Sequence, residues 1–343
     1  VHEGMFITEP DTSECGRFMI DPMKEYGLTK KEFDLIMKFN KIHDLSDKPI
    51  DFELGFTEQE QIEIERKKIS LAQWSLHRAI KINQTLSPFD FSLKAREIGF
   101  DAVEYVSSLY WNELETKPIK KVTKTLLNNS KNNGIKNLLI MVDGEGDLAS
   151  KNKNKRQKCI DNHKKWIEMA YELGCHSIRV NLNGEKNKDK WIEYSSKSLT
   201  QLCLIAKKDK INIIVENHGG LSSNASYLAK VMKNVNLDNC GTLPDFGNFC
   251  IEKIDPENYF SQCIDEYDKY QGMKELMPYA KAVSAKSYDF DSNGEEKTID
   301  FKRIIDITKE FNYDGYYGIE YEGLVTGEYE GINKTKTLLE RYL

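Results

Sequence analysis

Three acidic side chains stand where chemistry is expected. Glu216, Asp245 and Glu320 each follow directly on strand-forming, mostly apolar residues, as in Ile213-Ile214-Val215-Glu216-Asn217-His218-Gly219-Gly220. Carboxylates gathered in a dry pocket repel one another and take up protons unless a cation holds them. An oxygen-rich set of this kind suits Mg²⁺, Mn²⁺ or another divalent ion. A carboxylate pair working without metal, as in glycoside hydrolysis, is the alternative. Glu216 and His218 are two residues apart, so they project from the same side of a strand. Polar groups at the end of a wholly apolar strand are not there for core packing, because burying them unpaired is costly.

The elements that must carry these residues alternate with regularity from about residue 68 onward. Strand patterns fall at 69–74, 102–106, 137–142, 177–181, 211–215, 240–243, 282–286 and 316–320. Helical patterns follow them at about 91–97, 117–132, 156–173, 191–208, 224–233, within 256–277, at 301–311 and at 331–342, with Gly99 and Gly174 as stops. Short apolar strands alternating with helices imply a parallel sheet with right-handed crossovers, buried on both faces. Eight such pairs close a barrel. The expected fold is therefore α/β, a single (β/α)₈ TIM barrel over residues 68–343. Residues 1–67 form an N-terminal, partly helical extension packing on it. A doubly wound open sheet is the runner-up, but no G-x-G-x-x-G follows the first strand.

In a barrel the active site gathers at the carboxyl ends of the strands. Those positions hold Gln73, Trp74 and His77, Glu104, Asp143 and Glu145, Arg179 and Asn181, Glu216 and His218, Asp245, Ser284 and Lys286, and Glu320 and Glu322. Any one of them reads as a solvated loop residue; together they exceed what a structural barrel needs. Arg179 is either a bidentate clamp on a substrate oxygen or an ion-pair partner of the acids. Lys286 shares a strand face with Ser284 and points inward, as an acid, base or electrophile, or as a counter-charge. Trp74, Tyr105, Trp111 and Phe246 could wall a sugar ring, although core packing accounts for at least two of them.

The chain has 343 residues and a formal net charge of −6, which argues against nucleic acid as a partner. The lysine-rich run at 151–158 reads as a solvated lead into a helix. No apolar stretch is long enough to span a bilayer. Seven cysteines, at 15, 159, 175, 203, 240, 250 and 263, are scattered without a C-x-x-C pair, and read as free thiols in a reducing compartment. A cytoplasmic protein is the expectation, with export behind a removed signal the alternative.

The strand ends, taken in order, resemble the sugar phosphate isomerase/epimerase superfamily, the xylose isomerase-like TIM barrels. The resemblance runs from about residue 69 to the C-terminus through LAQWSLHRA, DAVEYV, IMVDGEG, GCHSIRVN, VENHGGLSSN, TLPDFGNF, AVSAKSYDF and YYGIEYEG. It implies a divalent ion (Mn, Mg, Zn or Co) held by Glu216, Asp245, a histidine and Glu320. The family's histidine lies on the seventh strand in a pattern like V-H-x-K-D, where this chain has Val283-Ser284-Ala285-Lys286-Ser287. Ser284 thus stands where that ligand is expected. Either His218 serves as fourth ligand, or metal binding is weakened, or Lys286 replaces the metal's electrostatics.

The resemblance further implies a small-molecule carbohydrate substrate and a barrel that pairs into a homodimer. Glu216 and Glu320 would move a proton on and off the carbon beside a carbonyl, with Lys286 catalytic and His77, Glu104, Arg179, His218 and Trp74 binding substrate. The expected function is a metal-dependent isomerase or epimerase of a keto sugar or sugar phosphate. The alternatives are a 3-keto-glycoside lyase or hydrolase using the same carbanion chemistry, and a non-catalytic sugar-binding barrel. An apurinic-site endonuclease would need more histidines than the six present and a basic face.

Overall fold

The computed structural model describes residues 67–255 and 261–343. The expected N-terminal extension therefore lies outside the described residues, apart from position 67. Every predicted barrel strand is present. In chain order they are β1 (Ile69–Ala72), β2 (Ala102–Val106), β3 (Lys136–Met141), β4 (Ser177–Val180), β5 (Asn212–Glu216) and β6 (Cys240–Leu243), then β9 (Val283–Ser287) and β10 (Tyr317–Tyr321) after a small hairpin of β7 (Cys250–Lys253) and β8 (Cys263–Glu266).

The large sheet runs β6-β5-β4-β3-β2-β1-β10-β9, with all its pairs parallel. Isolated bridges close its two edges on each other, Thr242 against Ala280 and Asp245 against Ser284. The Ser284 amide donates to the Pro244 carbonyl at 3.0 Å, and the Phe246 amide to the Ser284 carbonyl at 3.1 Å. The protein is a (β/α)₈ TIM barrel. Its seam lies at Asp245 and Ser284, so ring closure itself brings a candidate ligand against the residue in the histidine's place.

The outer helices begin where polar caps dictate. Asn152, Asn187 and Asn224 accept backbone N–H groups at the starts of the helices Lys153–Leu173, Lys188–Ala206 and Ala225–Val235. Gly174 takes the left-handed conformation (φ 75°) that ends the first of them. The lysine-rich run is solvent-exposed as this helix begins. The predicted helix at 117–132 is present as Ile119–Asn132, and a short helix not expected from sequence, Trp111–Thr116, precedes it, the two separated at Pro118, which cannot donate a helical hydrogen bond. Between β6 and the helix Lys269–Leu276 stands the hairpin, where only a helix is expected from sequence.

The hairpin overturns the cysteine expectation. Cys250 and Cys263 form a disulfide, 13 residues apart in sequence and with Cα atoms 5.8 Å apart. Antiparallel pairing brings together cysteines whose spacing alone gives no hint of contact. Cys159, Cys175, Cys203 and Cys240 are free thiols. With one pair oxidised, the cysteine pattern no longer argues for a reducing compartment. Among the described residues no helix is long and apolar enough to cross a membrane.

Candidate active site

Glu216, Asp245 and Glu320 converge at the carboxyl end of the barrel, each offering an oxygen within 4.8 Å of the others', and all three are buried. Each has a fixed anchor. Asp245 Oδ1 accepts the amides of Gly247 and Asn248, both at 2.8 Å, and its Oδ2 accepts the Ser284 hydroxyl at 2.6 Å. Glu216 Oε1 accepts from Asn248 Nδ2 at 2.9 Å. Its Oε2 lies 2.9 Å from Arg179 Nε, an ion pair whose angle makes no proper hydrogen bond. Glu320 Oε1 lies 2.5 Å from Lys286 Nζ.

Two buried cations answer the acids. Arg179 also pairs with Asp143 at 2.6 Å, and Asn181 donates to the same Asp143 oxygen at 2.9 Å. Lys286, 1% exposed, lies among Glu320, Glu322 at 3.2 Å and Asp245 at 3.9 Å. Burial alone would discharge this lysine, but Glu320, Glu322 and Asp245 hold its ammonium charged. Burial pushes Glu216 up to about 7, opposed by Arg179, and pushes Asp245 up to about 8, opposed by Lys286. Burial also raises Asp143, yet the Arg179 guanidinium more than offsets it and holds the carboxyl below its usual value.

The donor set suits a hard divalent ion. It is all oxygen, it carries three acids, and Glu216 Oε2 is buried without a hydrogen bond of its own. Ser284, where the family resemblance leads one to expect a histidine, reaches Asp245, and more distantly Glu320 at 3.5 Å. His218 stands outside the carboxylate cluster, exposed at the rim. The loop behind it is tightly made: the His218 and Gly219 amides donate to Ser222 and Ser223 at 3.0 and 2.8 Å. Those two amides are thus already committed within the loop.

The remaining sequence candidates divide. Trp74 lies at the mouth, its indole N–H 2.5 Å from Glu322 Oε1 and its ring stacked on His77. His77 Nδ1 sits 2.7 Å from the Trp74 carbonyl, and the following amides, of Arg78 and Ala79, donate to Glu328. Trp111 is exposed and lies over Gly144, whose left-handed backbone (φ 74°) has no Cβ to meet it. Tyr105 and Phe246 are core residues, bonded to Asn137 and packed on Phe301. Glu145 turns outward to Trp166 and Lys165.

Glu104 sits mid-strand in β2, a layer beneath the triad, bonded to Ser70 at 2.7 Å with its second oxygen unpartnered. The small residues of neighbouring strands leave it room, and a Cβ on Gly318 would collide with its carboxylate. Burial pushes it up to about 8 from an ordinary value of 4.5. Between those two pH values the folded state holds a proton that the unfolded chain has released, so stability falls as pH rises. Glu104→Gln cannot titrate. From pH 5 to pH 8 the variant is expected to gain roughly 2–4 kcal/mol on wild type, at about 1.4 kcal/mol per pKa unit. Denaturant unfolding at both pH values reads this, and parallel pH profiles would contradict it.

Asn248 and Asn217 join the site although no sequence pattern singles them out. Asn217 staples β5 to the β6 loop, donating to the Asp245 and Asn248 carbonyls and accepting the Asp245 amide. Its mark in the sequence is an amide directly after a buried strand acid. Glu322 shares the strand face of Glu320, two residues on.

The sequence profile of the xylose isomerase-like TIM barrel family matches residues 93–339, and the chain belongs to that family. No curated protein matches the sequence. Solved structures share the fold. A D-tagatose 3-epimerase-like protein is 19% identical with a TM-score of 0.59, over 80% of this chain and 96% of its own. A 3-keto-D-glucoside 4-epimerase from E. coli is 14% identical at 0.59, over 80% and 100%. The IOLI protein, with a bound zinc atom, is 15% identical at 0.57, over 80% and 99%.

Proposed function

We propose that this barrel is an isomerase or epimerase of a keto sugar, working by proton transfer at the carbon beside a carbonyl. The observation that carries the reading is the convergence of Glu216, Asp245 and Glu320 within 4.8 Å in a buried cluster at the strand ends. A divalent ion held by these three would stabilise, as a Lewis acid, the negative charge that develops on the carbonyl oxygen. Glu216 is placed at the strand end to abstract the proton. Asn248 and Arg179 orient it. Glu320 returns the proton on the other side. Trp74 and His77 present a stacked apolar face at the mouth for the sugar.

The structural neighbours, a D-tagatose 3-epimerase-like protein and a 3-keto-D-glucoside 4-epimerase, support the reaction class. Removal of metal with a chelator is expected to abolish epimerisation of ketohexoses, and Mn²⁺ to restore it. Exchange of substrate hydrogen for solvent deuterium, followed by NMR, is the direct measurement. Full exchange in a demonstrably metal-free sample would refute the metal's part.

Lys286 favours a second reading. An ammonium set between Glu320 and Glu322 can protonate a departing oxygen, so β-elimination from a 3-keto-glycoside is within reach of the same groups. Release of aglycone from a keto-glycoside, without epimer formation from a ketose, would select it.

A further inference from the structure

The triad already contains a cation of the protein's own. Lys286 Nζ lies 2.5 Å from Glu320 Oε1, 3.2 Å from Glu322 Oε2 and 3.9 Å from Asp245 Oδ2. The lysine stem is fixed lower down. Gly247 lies so close that a Cβ there would come within 2.9 Å of the Lys286 Cγ and 3.0 Å of the Tyr288 hydroxyl. The ammonium at the end of that stem lies between two carboxylates, Glu320 and Glu322. Glu322 is itself held from the other side by the Trp74 indole. It forms a second seat for the ammonium outside the triad.

We propose that Lys286 is the resident cation of the triad and yields to a divalent ion by moving its ammonium from Glu320 to Glu322. The inference rests on the metal reading of the triad and adds to it a mechanism of exchange. Three buried carboxylates with Arg179 on Glu216 as their one other counter-charge are costly, so the metal-free barrel gains from a second cation in place. With Lys286 there, the ion must displace an ammonium from one of its own ligands. Ser284 makes that competition even, because a hydroxyl offers the ion less than an imidazole in the same place. The site then binds its ion weakly and releases it readily, and Lys286 answers the carboxylates when the ion leaves.

The test is Mn²⁺ titration by calorimetry on the full chain, for wild type, Lys286→Met and Ser284→His, with a crystal structure of the Mn²⁺-loaded wild type. Lys286→Met is expected to bind Mn²⁺ at least about tenfold more tightly, as loss of a like charge a few ångströms from the ion requires. The loaded structure should show Nζ on Glu322 and clear of Glu320. It keeps the proposal testable if the methionine variant does not fold. A Lys286→Met affinity no higher than wild type, with Ser284→His tightened, overturns the exchange and leaves the triad reading standing. A loaded structure with the Lys286–Glu320 pair intact also overturns it. Absence of Mn²⁺ binding in all three proteins overturns the triad reading itself.

Discussion

Glu320→Gln and Glu216→Gln are each expected to lower turnover about a thousandfold while the barrel stays folded. Both glutamines keep the shape of the side chain and remove its capacity to hold and release a proton, a role that contributes roughly 10²–10⁴ in rate. The two variants should differ in one respect. If Glu216 removes the proton, Glu216→Gln stops solvent exchange at the substrate carbon. Glu320→Gln leaves exchange partly alive, because abstraction and return can still occur on Glu216. Deuterium wash-in by NMR, run beside product formation, separates them. Equal exchange in both variants and wild type would remove the pair from the chemistry.

Arg179→Ala carries the largest expected cost in stability. The guanidinium is buried between Asp143 and Glu216, at 2.6 and 2.9 Å, and its loss leaves two acids facing each other without a cation. Removing one partner of a buried ion pair typically costs about 3–5 kcal/mol. For a domain of this size that corresponds to a fall in melting temperature of roughly 10 °C. Because Arg179 orients Glu216 as well, activity measured well below the melting temperature should fall too. A melting temperature within a degree or two of wild type would show that water or neighbouring groups take over the charge. Thermal unfolding followed by circular dichroism decides it.

Much of this architecture is written locally in the chain. The strands of a closed parallel barrel are buried on both faces, so Ile213-Ile214-Val215 and its counterparts appear as uninterrupted apolar runs that need no long-range information to be found. The triad is legible for the same reason: an acid immediately after such a run stands out. The hairpin is not, because Cys250-Ile251-Glu252-Lys253 is half exposed and its pairing with Cys263 depends on a turn no short motif announces. Glu104 shows a different limit. Its strand runs on past it to Val106, so a residue that reads as a strand end is an interior one, admitted only because Gly318 has no side chain. Lys286 is the subtlest case. Its inward direction follows from strand alternation, but its seat between Glu320 and Glu322 is a property of three dimensions.

The Trp74–Glu322 hydrogen bond gives the molecule an optical reporter. Of four tryptophans, Trp166 and Trp191 are sealed in the core and Trp111 lies out on the surface. Trp74 alone has its indole N–H on an acid that also touches Lys286, with its ring plane against an imidazole. Emission from that one ring is tied to the charge arrangement around Glu322 and Lys286. A stopped-flow trace could therefore follow events at the triad without a label, in the same cuvette as the reaction.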